Sequence, residues 1–204
     1  FLISETALVH PQHLLPLLHH EIGTHLVTYF NGKTQPFQQL STGLAGYEDL
    51  QEGLAVLAEF LRGGLPPERL RTLAGRVIAV QAVADGAEFV ETFRLLQNDY
   101  GFTQKQAFTT TLRVHRGGGL TKDLIYLKGF RDVLDYLSQG HEIEPLYVGK
   151  IALRHVPYVQ ELRRRGLIQT PPLLPRFYEE KSLFRERLEQ CRELSFLQLM
   201  EIPR

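Results

Sequence analysis

The sequence predicts a mainly α-helical protein with at most a few short strands. Two observations support this fold class. Apolar residues recur at the three-and-four spacing of amphipathic helices along most of the chain, between glycine and proline breaks. The period-two alternation of strands is scarce, and only residues 2–3 and 146–148 are candidates for short edge strands. With 204 residues and 43% hydrophobic content, the chain is long enough to bury a core without disulfides.

The first predicted helix is marked by an apolar residue at every fourth position. These residues are Leu14, Leu18, Ile22, Leu26 and Phe30. Such a stripe is typical of a helix that packs on a core, so Ile22 is expected to point inward and its polar neighbours to flank buried surface. Asn31-Gly32 predicts the C-terminal end of this helix.

The remaining helices are predicted in the same way. The second helix carries Leu50, Leu54, Leu57 and Leu61 and ends at Gly63-Gly64. Later helices are expected at residues 70–83, 89–96, 103–114, 124–137, 156–162 and about 179–191, and the prolines at 171, 172 and 175 indicate an extended connector before the last of these. Thr121 is the predicted N-cap of the helix that contains Tyr126.

Two imidazoles and a carboxylate occur within six residues of the first helix, at His20, Glu21 and His25. Zinc binds neutral imidazole nitrogens and carboxylate oxygens. In a regular α-helix, however, residues five apart point about 140° away from each other, which is too far for one ion. A π-type turn would bring the two histidines to one face, and Gly23 makes such a distortion easier. We therefore predict a π-type or widened turn within residues 20 to 25.

A third ligand is available from the second helix at Glu52, and Glu21 is then the candidate general base. Gly53 and Ala55 are small, so another helix can approach there and bring this carboxylate close to the first helix. The pattern of Glu48, Glu52 and Glu59 is equally typical of a solvated helix face. The spacing alone leaves both interpretations open.

Three segments resemble a known family: HHEIGTHLVTYFNGKTQP, GLAGYEDLQEGLAVLAEFLRGGL and RVHRGGGLTKDLIYLKG. Together they are similar to the QEGLA-motif family, also called flavohaemoglobin expression-modulating QEGLA motif proteins, which is related to the microtubule-associated tyrosine carboxypeptidases. The resemblance implies one zinc ion held by His20, His25 and Glu52, with Glu21 as the catalytic base. It also implies a gluzincin-like metallopeptidase domain over residues 1–204, as the C-terminal part of a longer protein. Residues 171–204 would form a Pro-rich connector and a C-terminal helix within it.

A carboxypeptidase must also bind the free carboxylate of its substrate. Arg113 and Arg116 are candidates because a guanidinium can form two parallel hydrogen bonds with a carboxylate, and Lys122 begins a helix whose first turn attracts anions. Tyr126 and His115 are candidate donors to the oxyanion. Each of these residues is equally explained as a solvated or packing side chain.

Composition excludes some function classes. Lys plus Arg and Asp plus Glu are balanced at 23 each, which argues against a nucleic-acid partner. No apolar run approaches the roughly 20 residues that span a bilayer, so no membrane association is expected. Cys191 is the sole cysteine, which suits a reducing, cytoplasmic compartment.

The sequence thus favours a zinc metallocarboxypeptidase that removes a C-terminal residue, with an aromatic preference implied by the relatives, from a peptide or protein. The alternative is a regulatory or scaffold protein whose metal is structural or vestigial. In that case a fourth protein ligand, such as His19 or Glu48, would close the site. The sequence indicates no particular oligomeric state.

Overall fold

The computed structural model describes residues 11–116, 122–179 and 183–193. In chain order its helices are α1 (Pro11–His20), a first π-helix (Glu21–Leu26), α2 (Val27–Thr34), α3 (Gln39–Thr42), α4 (Tyr47–Leu61), α5 (Pro67–Ala84), α6 (Phe89–Arg94), a second π-helix (Leu95–Asp99), α7 (Gln104–His115), α8 (Lys122–Ser138), 3-10 turns at Glu144–Tyr147 and Leu153–His155, α9 (Val156–Arg164), α10 (Arg176–Glu179) and α11 (Leu183–Glu193). These residues contain no strand, which confirms the mainly α fold class.

The chain divides into two compact units. The first comprises residues 1–65 and 129–204, and the second comprises residues 66–128. The prediction of one catalytic domain over residues 1–204, with 171–204 as its connector and last helix, stays a prediction. No helix of the described ranges is both long and apolar enough to cross a lipid bilayer.

Helix α4 forms the centre of the first unit, and every residue from Leu50 to Leu61 is buried. The predicted leucines fill one side of the helix, while α1, the first π-helix and α11 pack against it. Gly53 marks the closest approach of another helix, since a Cβ atom there would overlap the backbone of Gly129 in α8. The expected close contact at Gly53 therefore exists, but its partner is α8 and not the first helix.

The predicted apolar stripe of the first helix is wrong. Leu14, Leu18, Ile22 and Phe30 are exposed, and Ile22 has 45% of its surface in contact with solvent. The buried face of the same helix is polar and consists of His19, His20, Thr24, Thr28 and Asn31. These side chains can be buried because hydrogen bonds satisfy them, as when the Asn31 side-chain amide donates to the carbonyl of Tyr147.

Two local predictions also differ from the structure. The helix does not end at Asn31-Gly32 but continues to Thr34, because the buried Asn31 amide donates to the carbonyls of Tyr147 and Leu173. Residues 146–148 are not a strand, since a 3-10 turn at Glu144–Tyr147, with Pro145 in its first positions, occupies this segment. The other strand candidate, residues 2–3, and the predicted cap Thr121 lie outside the described residues.

The second unit is built from α5, α6, the second π-helix, α7 and the start of α8. Its core contains Ala79, Val80, Leu96, Phe102, Ala107 and Val114. Thr103 caps α7 as the sequence predicts for a helix that begins there. A fully buried carboxylate, Asp123, lies 2.5 Å from Nε of Arg113 and 3.7 Å from Nη1 of Arg76.

Candidate metal centre

The predicted widened turn is confirmed, because residues Glu21–Leu26 form a π-helix. Its hydrogen bonds join residues five apart, so positions 20 and 25 come to the same side of the helix. The rings of His20 and His25 are accordingly neighbours, with centroids 5.2 Å apart and planes at 77°. The π-helix thus brings together two histidines that are five residues apart in the sequence.

Glu52 reaches the same point from α4. Its Oε2 atom lies 3.6 Å from Nε2 of His20 and 3.8 Å from Nε2 of His25. The three potential ligand atoms all lie within 4.8 Å of one another, and His20 and Glu52 are buried. Two imidazole nitrogens and one carboxylate oxygen are a donor set that suits a transition-metal ion such as zinc. The structure therefore brings together the three residues that the sequence pointed to.

Glu59 is a second buried acid at this centre, and the sequence interpretation missed its role. It is 7% exposed, and its Oε1 atom lies 2.7 Å from Nδ1 of His20. A position seven residues after Glu52 lies two turns along the same helix face, so the spacing contained a signal for its burial. A carboxylate on the outer nitrogen of a ligand histidine fixes the ring and leaves the other nitrogen for a metal.

Gln51 has the corresponding position next to the other histidine. Its Oε1 atom lies 3.4 Å from Nδ1 of His25 and accepts a hydrogen bond of 2.7 Å from the Thr28 hydroxyl. Because this amide oxygen can only accept, the contact is a hydrogen bond only in the tautomer that has its proton on Nδ1, and that tautomer leaves the Nε2 lone pair on the side of Glu52. The first two residues of the QEGLA motif thus act on one centre.

The charges of the two acids set the protonation of His20. Burial opposes protonation, but the hydrogen bonds and charges of Glu52 and Glu59 outweigh it and raise the pKa of His20 to about 9. For His25, burial lowers the pKa, even though the charge of Glu52 opposes this effect. The two carboxylates therefore favour the protonated form of His20, whereas burial favours the neutral form of His25.

A protein-family model described as microtubule-associated tyrosine carboxypeptidase matches residues 1–195. The chain belongs to this family. The relation that the sequence motifs indicated is thereby confirmed, and membership implies a carboxypeptidase-like function. Comparison with curated proteins gives no match.

Glu21, the expected base of this family member, is the first residue of the π-helix. It is half-buried, directly follows the ligand candidate His20, and its charge partly opposes the lowering of the pKa of His25 by burial. The carboxylate is therefore near the potential ligands without being one of the three groups that converge. Its catalytic role stays a prediction.

The other predicted site residues belong to the second unit. Arg113 pairs with Asp123, and His115 Nε2 lies 3.1 Å from the Thr92 hydroxyl. The Arg76 guanidinium lies 6.0 Å from the ring centroid of Tyr126. Arg116 and Lys122 are exposed, at the end of α7 and the start of α8. The roles predicted for these residues, substrate binding for Arg113, Arg116 and Lys122 and donation to the oxyanion for Tyr126 and His115, stay predictions.

Proposed function

We propose that this protein is a zinc-dependent carboxypeptidase that hydrolyses the last peptide bond of a peptide or protein. The observation that carries the proposal is the convergence of His20, His25 and Glu52, each buried or partly buried, from two helices. Family membership supports the peptidase reaction, and the donor set supports zinc.

The number of ligand candidates favours an enzyme over the regulatory alternative. Catalytic zinc sites use three protein ligands and leave a position open, whereas structural sites are closed by four. In the described ranges the converging group comprises three side chains. His19, considered above as a fourth ligand, accepts a 2.9 Å hydrogen bond at Nε2 from Arg62, and Glu48 is exposed.

When bound, the zinc ion would polarise the scissile carbonyl and lower the pKa of a coordinated water. Glu21 takes a proton from the attacking water and delivers it to the nitrogen of the departing residue. The C–N bond then breaks, the water oxygen stays on the new carboxylate, and a free amino acid leaves. Glu59 and Gln51 hold the two histidine rings during these steps.

The substrate is expected to end in a free carboxylate, with a preference for an aromatic or bulky last residue. The family description names tyrosine, which supports this preference. Arg113, Arg116 and Lys122 remain our predicted substrate-binding residues in the second unit, and Tyr126 and His115 remain predicted oxyanion donors. A cytoplasmic location also stays a prediction.

The proposal is tested by Glu21→Gln, which keeps the size of the side chain and removes its basicity. We expect one zinc per chain to be retained and kcat on C-terminal peptides to fall by about 10²- to 10⁴-fold, the contribution typical of a general base. Elemental analysis and peptide mass spectrometry measure the two quantities. Glu68→Gln, at an exposed position of α5, is the matched control and should keep both.

Two outcomes contradict separate parts of the proposal. Full turnover by Glu21→Gln would show that another group is the base. If the zinc-loaded wild-type protein releases no residue from any member of a C-terminal peptide library, the carboxypeptidase function itself is wrong.

A further inference from the structure

A lysine ammonium group lies between two tyrosine rings in the first unit. Nζ of Lys150 is 5.6 Å from the ring centroid of Tyr29 and 5.6 Å from that of Tyr47. An ammonium group at this distance is attracted to the negative face of each ring. We refer to these three residues as the Tyr–Lys cluster, and they are distinct from the candidate metal ligands.

The two rings come from the same helices as the candidate metal ligands. Tyr29 follows His25 by four residues, so it lies about one turn further along the helix. Tyr47 begins α4, which carries Glu52. Burial and then the charges of Glu48 and Glu52 raise the pKa of Tyr47, so its hydroxyl lies within the field of the ligand carboxylate. Tyr29 and Tyr47 therefore lie on the same two continuous helical segments as the candidate metal ligands.

The backbone of Lys150 is fixed. Its N–H donates to the carbonyl of Leu40 at 2.7 Å, and its carbonyl accepts from the N–H of Leu44 at 3.0 Å. The neighbouring residues Gly149 and Ile151 are buried. The backbone hydrogen bonds and the two rings restrict the conformations of the Lys150 side chain before a ligand binds. Ligand binding therefore costs less conformational entropy than it would at a freely moving lysine.

Lys150 differs from Arg113 in the ion pairs that it forms. Arg113 already forms an ion pair with Asp123, which it shares with Arg76. Within the described part of the chain, no carboxylate forms an ion pair with Lys150, whose interactions there are the two ring contacts and the backbone bonds. The half-buried ammonium group of Lys150 can therefore bind an anionic ligand, to which it would donate a hydrogen bond.

We propose that Lys150 binds the free C-terminal carboxylate of the substrate and that Tyr29 and Tyr47 contact the side chain of its last residue. This inference rests on the proposed carboxypeptidase function, because such an enzyme must hold the terminal carboxylate one residue from the bond that it cleaves. The two rings explain a preference for an apolar or aromatic last residue, since ring-to-ring contacts are favourable. Lys150 thus determines specificity for free C-termini.

The test measures binding separately from turnover. A peptide that ends in tyrosine is prepared with a free carboxylate and with a C-terminal amide, and both are titrated into zinc-loaded Glu21→Gln protein by fluorescence anisotropy. We expect the free acid to bind about 10- to 100-fold more tightly than the amide, the range for a hydrogen bond to a charged group. Lys150→Met, made in the same background, should abolish this difference.

Lys33→Met is the matched control. Nζ of Lys33 lies 5.4 Å from the same Tyr29 ring, but Lys33 is exposed at the end of α2, so its loss should leave the acid-to-amide ratio unchanged. Lys150→Arg keeps the positive charge and should keep a preference for the acid. Zinc content and melting temperature, measured for all variants, show that each has the same folded centre.

The outcomes separate this inference from the proposed function. Equal binding of acid and amide by the parent protein, or an unchanged ratio in Lys150→Met, overturns the role of Lys150 even if the wild type cleaves peptides. The first of these results needs no Lys150 variant, so it applies even if Lys150→Met does not fold. Conversely, Lys150-dependent binding of the acid by a wild-type protein that hydrolyses no peptide overturns the proposed function and supports the inference about binding.

Discussion

Among the residues that the structure describes, each unit contains buried acids, Glu52 and Glu59 in the first and Asp123 in the second, and their partners differ. In the first unit, Glu52 and Glu59 are held by imidazoles. In the second unit, Asp123 is held by the guanidinium groups of Arg76 and Arg113. Both arrangements remove carboxylates from water, with Glu52 8% exposed and Asp123 fully buried, so each acid must be compensated by its neighbours.

The chemistry of the partners separates the two clusters. A guanidinium keeps its charge at every accessible pH and has no lone pair for a metal, so the basic partners of Asp123 cannot bind a metal ion. An imidazole can give up its proton and then bind a metal with the same nitrogen. We infer that the Asp123 cluster serves stability and that the Glu52 cluster serves binding, and each prediction below tests this difference.

The largest effect is expected for Glu52→Ala. This change removes one of three ligands, and zinc should fall from one per chain to a level below detection after dialysis, with loss of peptidase activity. Elemental analysis measures the metal, and circular dichroism measures the helical content, which should be kept. Stoichiometric zinc in a folded Glu52→Ala protein would show that the ligand set is different.

The next effect is a loss of stability. Asp123→Ala leaves two guanidinium groups partly buried without their acid, and removal of one partner from a buried pair typically costs about 3–5 kcal/mol of unfolding free energy. Urea denaturation measures this change, while the zinc content of the folded protein should stay at one per chain. Arg164→Ala is the control, because its ion pair with Glu161 is solvent-exposed and should leave the midpoint unchanged.

A reversed result would contradict the comparison. If Asp123→Ala leaves stability intact but removes zinc or abolishes turnover, the second cluster is functional, and the result would support the predicted role of Arg113 at the substrate.

The sequence predicted the metal centre better than it predicted the surroundings. The π-type turn follows from the spacing of His20 and His25, because two ligands of one ion must share a face and an α-helix cannot provide this. The third ligand was identified through the family resemblance, since Glu52 alone is indistinguishable from a solvated glutamate. Local spacing thus predicts geometry where the ligands are close in sequence.

The rest required tertiary information. The leucine and isoleucine stripe of the first helix indicated a buried apolar face, whereas the metal centre requires the opposite, polar face to be inside. No role is predicted for Glu59, whose spacing is equally typical of a solvated helix face, because charged residues are rarely buried unless paired and its partner His20 is 39 positions away. Asn31 was interpreted as a helix end, but its amide bonds to Tyr147 across the fold. Contacts between distant residues decide all three.

The smallest effect, and the sharpest test of the comparison, is expected for Glu59→Gln. Glu59 resembles Asp123 in being a buried acid, but its partner is the outer nitrogen of a candidate ligand. Loss of such an outer partner typically weakens metal binding by about 10- to 100-fold, so the zinc Kd, measured by competition with a chelator, should rise by that factor. Excess zinc should restore one ion per chain and most of the turnover.

Asp123→Asn is the corresponding change in the second unit and should leave the zinc Kd unaltered. An unchanged Kd in Glu59→Gln, together with lower stability, would place Glu59 in the same class as Asp123. If Glu59 orients the His20 ring for metal binding, weakening Glu59 must weaken zinc binding. An unchanged zinc Kd would therefore mean that the pair of Glu59 and His20 stabilises the fold and does not prepare His20 for a metal.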